Sequence, residues 1–466
     1  MALRIDWARW GWPALLGALA LPVGVLAGVR PELTLLVALG LAFVLVVFAD
    51  LTTGLVAFTF LTFFELLPSA DSAAFGFTKL AGLLLALSWL ARLAVHPDAK
   101  SDLLRAHPMI GGLLVLLIAW AGVSVIWAEN TAGAIEATYR LGLNAVLFLI
   151  VYTAVRVPRD AVRVLWAFVI GASAATAYGI VTGDAASPYG EAARLSGTAE
   201  NANELASTLV ASLALALGLA FHSRDSPAQR AAALAMATIA LYGVLLTVSR
   251  SGLIALGVAA LAAIVLSGRW RPRVAVLAIG VAVSALAYFA LFAPDAARER
   301  VRDFEGGTGR EDIWRVAWRM VEDQPLQGVG AGNFSDSSIH YLLVPGTLRR
   351  SDFIVDSRKN AHNVYLGTLA ELGIVGLALL AALIVAIIAC ALWAIDGFRR
   401  VGDIRMEMLA RAQLVAVFGL LASLFFASDE YKKQLWLLLA LAPALLAIAR
   451  AELDRARERS ADAEPG

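Results

Sequence analysis

From residue 11 to residue 450 the chain is built of apolar blocks, roughly 17–22 residues each and almost free of charge. A helix of that length crosses a hydrocarbon layer about 30 Å thick. The blocks fall at 11–29, 32–49, 51–67, 77–95, 109–127, 137–155, 162–182, 204–222, 231–248, 251–267, 273–293, 363–395, 408–427 and 433–450. Little more than Asp50 parts the second from the third, so merged or re-entrant segments would lower the count of fourteen to twelve. The fold class is therefore all-α: a polytopic membrane protein with 12–14 transmembrane helices and one large loop domain. Composition agrees, with 60% hydrophobic and 16% charged residues, where a soluble chain carries about 25% charge. The first block lacks an A-x-A-type cleavage site and many spans follow it, so it reads as a retained helix rather than a signal peptide.

Basic residues in the short loops set the orientation. Arg4/Arg9, Arg92/Lys100/Arg105, Arg156/Arg159/Arg163, Arg224/Arg230, Arg269/Arg271/Arg273 and Arg399/Arg400/Arg405 occupy alternate loops, as does the arginine-rich tail. Those loops and both termini are expected to be cytoplasmic, and 68–76, 128–136, 183–203, 249–250, 294–361 and 428–432 to face outward. The division this gives is a transmembrane bundle over 1–293, an outward loop domain over 294–361, C-terminal transmembrane helices over 362–450 and a cytoplasmic tail over 451–466. A net charge of +1 leaves no basic stripe for nucleic acid. The single cysteine, Cys390, lies inside a span and forms no disulfide within the chain.

Within 294–361, Ile313, Val316, Ala317, Met320 and Val321 recur at helical spacing, with Trp314 and Trp318 widening the apolar face. Thr308 and Glu311 form a capping box and Pro325 a stop, which predicts an amphipathic helix over 309–323 lying at the membrane boundary or over the spans. Arg310 then stands in the first turn, against the helix dipole. A guanidinium beside free helix N–H groups is a seat for phosphate, or else a solvated arginine near the headgroups. "GVGAGNF" (328–334) has no strand before it and no helix in frame, so it reads as a tight turn, not a nucleotide loop.

The span centres are nearly bare of ionisable groups, which gather instead at the outward ends: Arg140, Arg194, Glu200, Glu204, Arg250, Arg310 and His362. Arg194, Asn201 and Asn203 share the entrance to one span, and "TVSRSGLIAL" (247–256) turns with Arg250 at its tip. Each has a plain reading, as a snorkelling arginine or a capping asparagine. Jointly, arginines from separate elements at one depth suit a diphosphate at the membrane face. His362 is expected on the first turn of the span at 363–395, with Asn363 beside it to orient a substrate group and Glu371 pointing away. A histidine of near-neutral pKa suits removal of a proton from an attacking hydroxyl, although a helix-entry capping role is the plain alternative. No cluster has metal-ligand spacing, so the chemistry expected is free of metal and cofactor.

"HNVYLGTLAELGIVG" (362–376), the "SRSG" turn at 249–252 and "GR…W…P…GVGAGNF" at 309–334 resemble the O-antigen ligase and polymerase superfamily of bacterial membrane glycan ligases. The resemblance covers about residues 190–380 in detail. It implies transfer of a glycan from undecaprenyl diphosphate to a hydroxyl of lipid A-core or another glycan acceptor, with inversion. It places the protein in the bacterial inner membrane, among its lipids, with the active site facing the periplasm. It further implies that Arg194, Arg250 and Arg310 bind the donor diphosphate and that His362 is the base. An O-antigen or exopolysaccharide polymerase is the alternative within the superfamily. A transporter or lipid flippase, the alternative from another class, would show ionisable or broken-helix features at mid-membrane and internally repeated halves, and the sequence displays neither.

Overall fold

The computed structural model describes residues 40, 43–65, 77–95, 103–182, 194–199, 201–302, 310–342, 360–428 and 430–462. The span expected at 11–29, most of that at 32–49, and Thr308 of the capping box lie outside them. No strand occurs among the described residues. The helices are α1 (Leu51–Leu61), α2 (Phe77–Val95), the single turn α3 (Leu103–Ala106), α4 (Pro108–Val123), α5 (Thr131–Ala154) and α6 (Pro158–Thr182). Next come α7 (Ala202–His222), α8 (Pro227–Leu246), α9 (Arg250–Leu266) and α10 (Arg271–Ala287). The segment between α10 and the next long helix contributes α11 (Asp295–Arg302), α12 (Arg310–Asp323) and α13 (Phe334–Leu342). The chain closes with α14 (Val364–Val401), α15 (Ile404–Ser423) and α16 (Lys433–Asp462). Among the described residues ten helices are long and apolar enough to cross a membrane, and Leu51–Leu61 and Arg250–Leu266 are shorter apolar helices. The protein is thus an all-α, multi-pass membrane protein.

Local chemistry places the helix ends. The Asp50 carboxylate accepts the N–H groups of Thr52 and Thr53, so this one residue separates α1 from the helical stretch at 43–49. Prolines open α4, α6 and α8, where the missing N–H costs nothing. Asn130, Asn201, Ser249, Asn363 and Asp403 each cap the next helix with a side-chain oxygen. Gly402, at φ +81°, ends α14 in the left-handed conformation. α16 runs on to Asp462, through most of the tail.

α7 forms the middle of the bundle, buried along most of its length and packed against α8, α15 and α6. α16 lies along α14 and α5. Small residues allow close crossings: a Cβ on Gly218 of α7 would come within 2.4 Å of the Ala412 methyl of α15. Buried polar side chains tie helices together, as where Gln413 donates to the Leu438 carbonyl at 2.7 Å. α10 has no buried residue and stands at the edge of the bundle.

One span departs from the sequence expectation. The sequence predicts an unbroken helix over 363–395, whereas Gly373 adopts φ +64°, ψ −169° and breaks α14 nine residues after its start. The turn 325–334 enters the break. Ile374 N–H donates to the Pro325 carbonyl at 2.9 Å, Val329 N–H to Ala370 at 2.9 Å and Gly330 N–H to Glu371 at 2.8 Å. Trp120 Nε1 donates to the Leu372 carbonyl at 2.9 Å. Backbone groups freed by the break therefore find partners in protein.

Candidate active site

Arg194, Asn201, Asn203, Arg250, Arg310, His362 and Asn363 lie at one end of the bundle, where α7, α9 and α14 begin and α8 and α15 end, and Glu200 lies outside the described residues. Arg194 donates through Nε to the Thr247 carbonyl at 3.0 Å and through Nη2 to Asn203 Oδ1 at 2.8 Å. The same Asn203 oxygen accepts the Ser249 hydroxyl at 2.8 Å. Ser249 caps α9, accepting Gly252 N–H at 3.1 Å, and Arg250 is the first residue of that helix. Arg194, Asn203 and the 247–250 turn thus form one hydrogen-bonded group, with two guanidinium groups at neighbouring helix starts. Asn201 takes the plain reading: its side chain accepts the N–H groups of Asn203 and Glu204, both at 3.0 Å, and caps α7.

The histidine stands in an unusual backbone. His362 has φ +47° and is exposed, and the only other non-glycine residue with positive φ among those described is Val248, at φ +48°. Left-handed backbone is uncommon for any residue with a Cβ and a true outlier for valine. Both strained residues sit immediately before the cap of a site helix, Val248 before Ser249 and His362 before Asn363. Val248 is clamped by Ala293, Ala297, Tyr288 and Phe289. His362 is held through its N–H, which donates to Ser428 Oγ at 3.1 Å. It therefore precedes the helix rather than occupying its first turn. Asn363 is buried and caps α14 by accepting Leu366 N–H at 3.0 Å.

Arg310 opens α12, as expected from sequence, and its guanidinium lies 5.9 Å from the Phe426 ring centre. A cation over an aromatic face offsets part of the unfavourable helix dipole. Ile313, Val316, Ala317 and Met320 of this helix pack with Ala361 and Ala370, so α12 lies over the start of α14. Trp314 donates to the Ala361 carbonyl at 3.1 Å, beside His362, while Trp318 is exposed rather than part of the buried face. The turn after α15 joins the two groups: Ser428 holds His362, and Lys432 pairs with Glu204 of α7 at 2.9 Å.

A cavity of about 970 Å³ opens at this end, lined by Asn363, Ser428, Glu204, Lys432, Glu371 and Glu430 together with leucines and isoleucines. Arg194, Arg250, Arg310 and His362 are not among its wall residues. Desolvation pushes the Glu430 carboxyl above the usual carboxylate range against the opposing charges of Arg140 and Lys432. Glu371 accepts the N–H groups of Gly332 at 2.9 Å and Phe334 at 3.1 Å, so its carboxylate sits at the start of α13 and fastens the glycine turn to α14.

Residues 231–381 match the O-antigen ligase family. The match begins in α8, contains Arg250, Arg310, His362, Asn363, Gly373 and Gly376, and ends in α14. Over this segment the chain is similar to the O-antigen ligases. No curated protein matches the chain at a significant level.

The structure accounts for the glycines of the matched segment. A Cβ on Gly373 would lie 2.2 Å from the Leu326 carbonyl oxygen, and Gly328, Gly330 and Gly332 all have positive φ. The tight turn expected at 328–334 is the piece that fills the break in α14. Sequence reasoning missed Glu371, Ser428, Lys432 and the Lys432–Glu204 pair. Glu371 could have been suspected from the glycines that follow it inside an apolar helix. Ser428 and Lys432 gave no signal, since a short polar loop between two spans looks like any other. Arg194, Ser428 and Lys432 lie outside the matched residues yet contact that segment or the groups around it.

Proposed function

We propose that this membrane enzyme of ligase or polymerase type transfers a glycan from undecaprenyl diphosphate to a hydroxyl of lipid A-core. The reaction takes place on the periplasmic face of the bacterial inner membrane. The observation that carries the reading is His362: exposed, strained at φ +47°, and inside the segment that matches the O-antigen ligases. Strain of this kind persists only where the surroundings enforce it, and it concentrates at functional sites.

In the reaction, His362 takes the proton of the acceptor hydroxyl as its oxygen attacks the anomeric carbon. The bond from that carbon to the diphosphate breaks, and the configuration inverts. The leaving diphosphate gathers charge, which Arg194, Arg250 and Arg310 neutralise through fork-shaped donors. Asn203 orients Arg194, and Asn201 and Asn363 support the site by fixing the helix starts on which these residues stand. No metal or cofactor enters this scheme, because guanidinium groups supply the charge at the leaving group.

The broken α14 is a feature also used by transporters. Here it lies nine residues from the helix start, and the residues 325–334 and Trp120 occupy the freed backbone groups, which supports a structural use.

The test is a lipopolysaccharide gel of the host lacking the gene, with extraction of lipid-linked glycan. Loss of all O-chain from lipid A-core, with long polymer accumulating on undecaprenyl diphosphate, is the expected result. Survival of a single repeat on the core with loss only of the ladder would make the protein a polymerase. An unchanged gel would overturn both.

A further inference from the structure

We propose that Ser428, in the turn after α15 and outside the residues that match the ligase family, is a positioning residue that holds His362 in its working conformation. The inference rests on the reading of His362 as the base.

The residues around His362 are pinned one by one. Ala361 is fixed by Trp314, which donates to its carbonyl at 3.1 Å. Val364 N–H donates to the Leu424 carbonyl at 2.9 Å. Tyr365 donates through its hydroxyl to the Leu421 carbonyl at 2.8 Å and stacks on Phe425 with ring centres 4.5 Å apart. Four of these five partners, Leu421, Leu424, Phe425 and Ser428, belong to the end of α15 and its turn. Ser428 makes a contact to the strained residue itself, accepting the His362 N–H at 3.1 Å. A backbone that a residue with a Cβ adopts only a few per cent of the time needs such a fixed acceptor.

The same turn reaches the other half of the site. Lys432, four residues on, pairs with Glu204 at 2.9 Å, and Glu204 is next to Asn203, the residue that holds Arg194. Ser428 and Lys432 therefore tie the histidine and the arginine group to one short segment. Without the Ser428 hydroxyl, His362 relaxes toward extended backbone and its imidazole leaves the acceptor oxygen. The donor seat stays as it was.

The experiment uses the full-length protein in detergent or liposomes with a lipid-linked glycan donor and a lipid A-core acceptor. It compares Ser428→Ala, Ser428→Thr and His362→Ala. Ser428→Ala is expected to lower kcat on the order of tenfold, as loss of this hydrogen bond lowers the population of the αL backbone. Donor KM should stay within about twofold of wild type, because the arginines are untouched. Thermal stability should be unchanged, and Ser428→Thr, which keeps the hydroxyl, should restore turnover. Wild-type kcat in Ser428→Ala, with His362→Ala inactive, would overturn this inference alone. A loss in Ser428→Ala that tracks a fall in stability and is not restored by threonine would also overturn it. Full activity of His362→Ala would overturn the reading on which it rests.

Discussion

Gly373→Ala should detach the 325–334 turn from α14 while leaving the spans in place. Gly373 occupies a region of φ/ψ space that is essentially restricted to glycine, so a side chain there costs about 1–3 kcal/mol before any contact is counted. The added Cβ would lie 2.2 Å from the Leu326 oxygen and 2.6 Å from the Gln327 nitrogen. Both are backbone atoms, so the turn must move. Its movement strands the bonds from Ile374 to Pro325, Val329 to Ala370 and Gly330 to Glu371, each worth about 1 kcal/mol net. Those bonds resist detachment in both proteins, so the strain, before the clash is counted, sets the shift: about 5- to 150-fold in the population of the detached turn. Limited proteolysis of the detergent-solubilised protein reads that population directly, since the 294–361 segment is rich in arginine. Gly257→Ala is the control: nothing lies within 4 Å of its Cβ, and alanine in a helix interior gains about 0.5–1 kcal/mol. Equal cleavage rates in the two variants would refute the claim that Gly373 exists to admit the turn.

Two further predictions concern charge. Arg310→Lys keeps the cation but loses the two-pronged donor, and turnover should fall on the order of tenfold; near-normal turnover would mean that a point charge suffices. Glu430 has its carboxyl raised above the ordinary value of 4.5 by burial. Burial shifts the folded protein toward the neutral form, so the contribution is full below the ordinary value and is lost as pH rises through the raised one. Glu430→Gln should therefore melt higher than wild type at neutral pH, with the gap closing under acid; a gap independent of pH would contradict this.

The spans were legible because hydrocarbon thickness imposes a length on each block, and each block from residue 51 onward contains a helix in the structure, that at 51–67 only over Leu51–Leu61. The amphipathic helix was legible too, as α12 spans Arg310–Asp323. The break in α14 was not. A glycine within an apolar run fits a straight helix as well as a broken one, and only the turn at 325–334, far back in the chain, decides between them. The expectation that Glu371 points away takes it and His362 to share one helix, as on a helical wheel. The helix in fact starts at Val364, and His362 stands before the cap in left-handed backbone, so the wheel did not apply. The hydrogen bonds among Arg194, Asn203 and the 247–250 turn reach across 53 residues, a pairing that local pattern does not reveal. For Asn201 and Asn363 the structure adds the capping role that the sequence allowed.

The measurement that bears most directly on the account is glycan transfer by the purified protein, wild type beside His362→Ala. Each would be given undecaprenyl-diphosphate-linked glycan and lipid A-core in the presence of a metal chelator. The account predicts O-chain on lipid A-core with wild type and none with His362→Ala, although both remain folded and bind donor. Transfer by His362→Ala at the wild-type rate would contradict it.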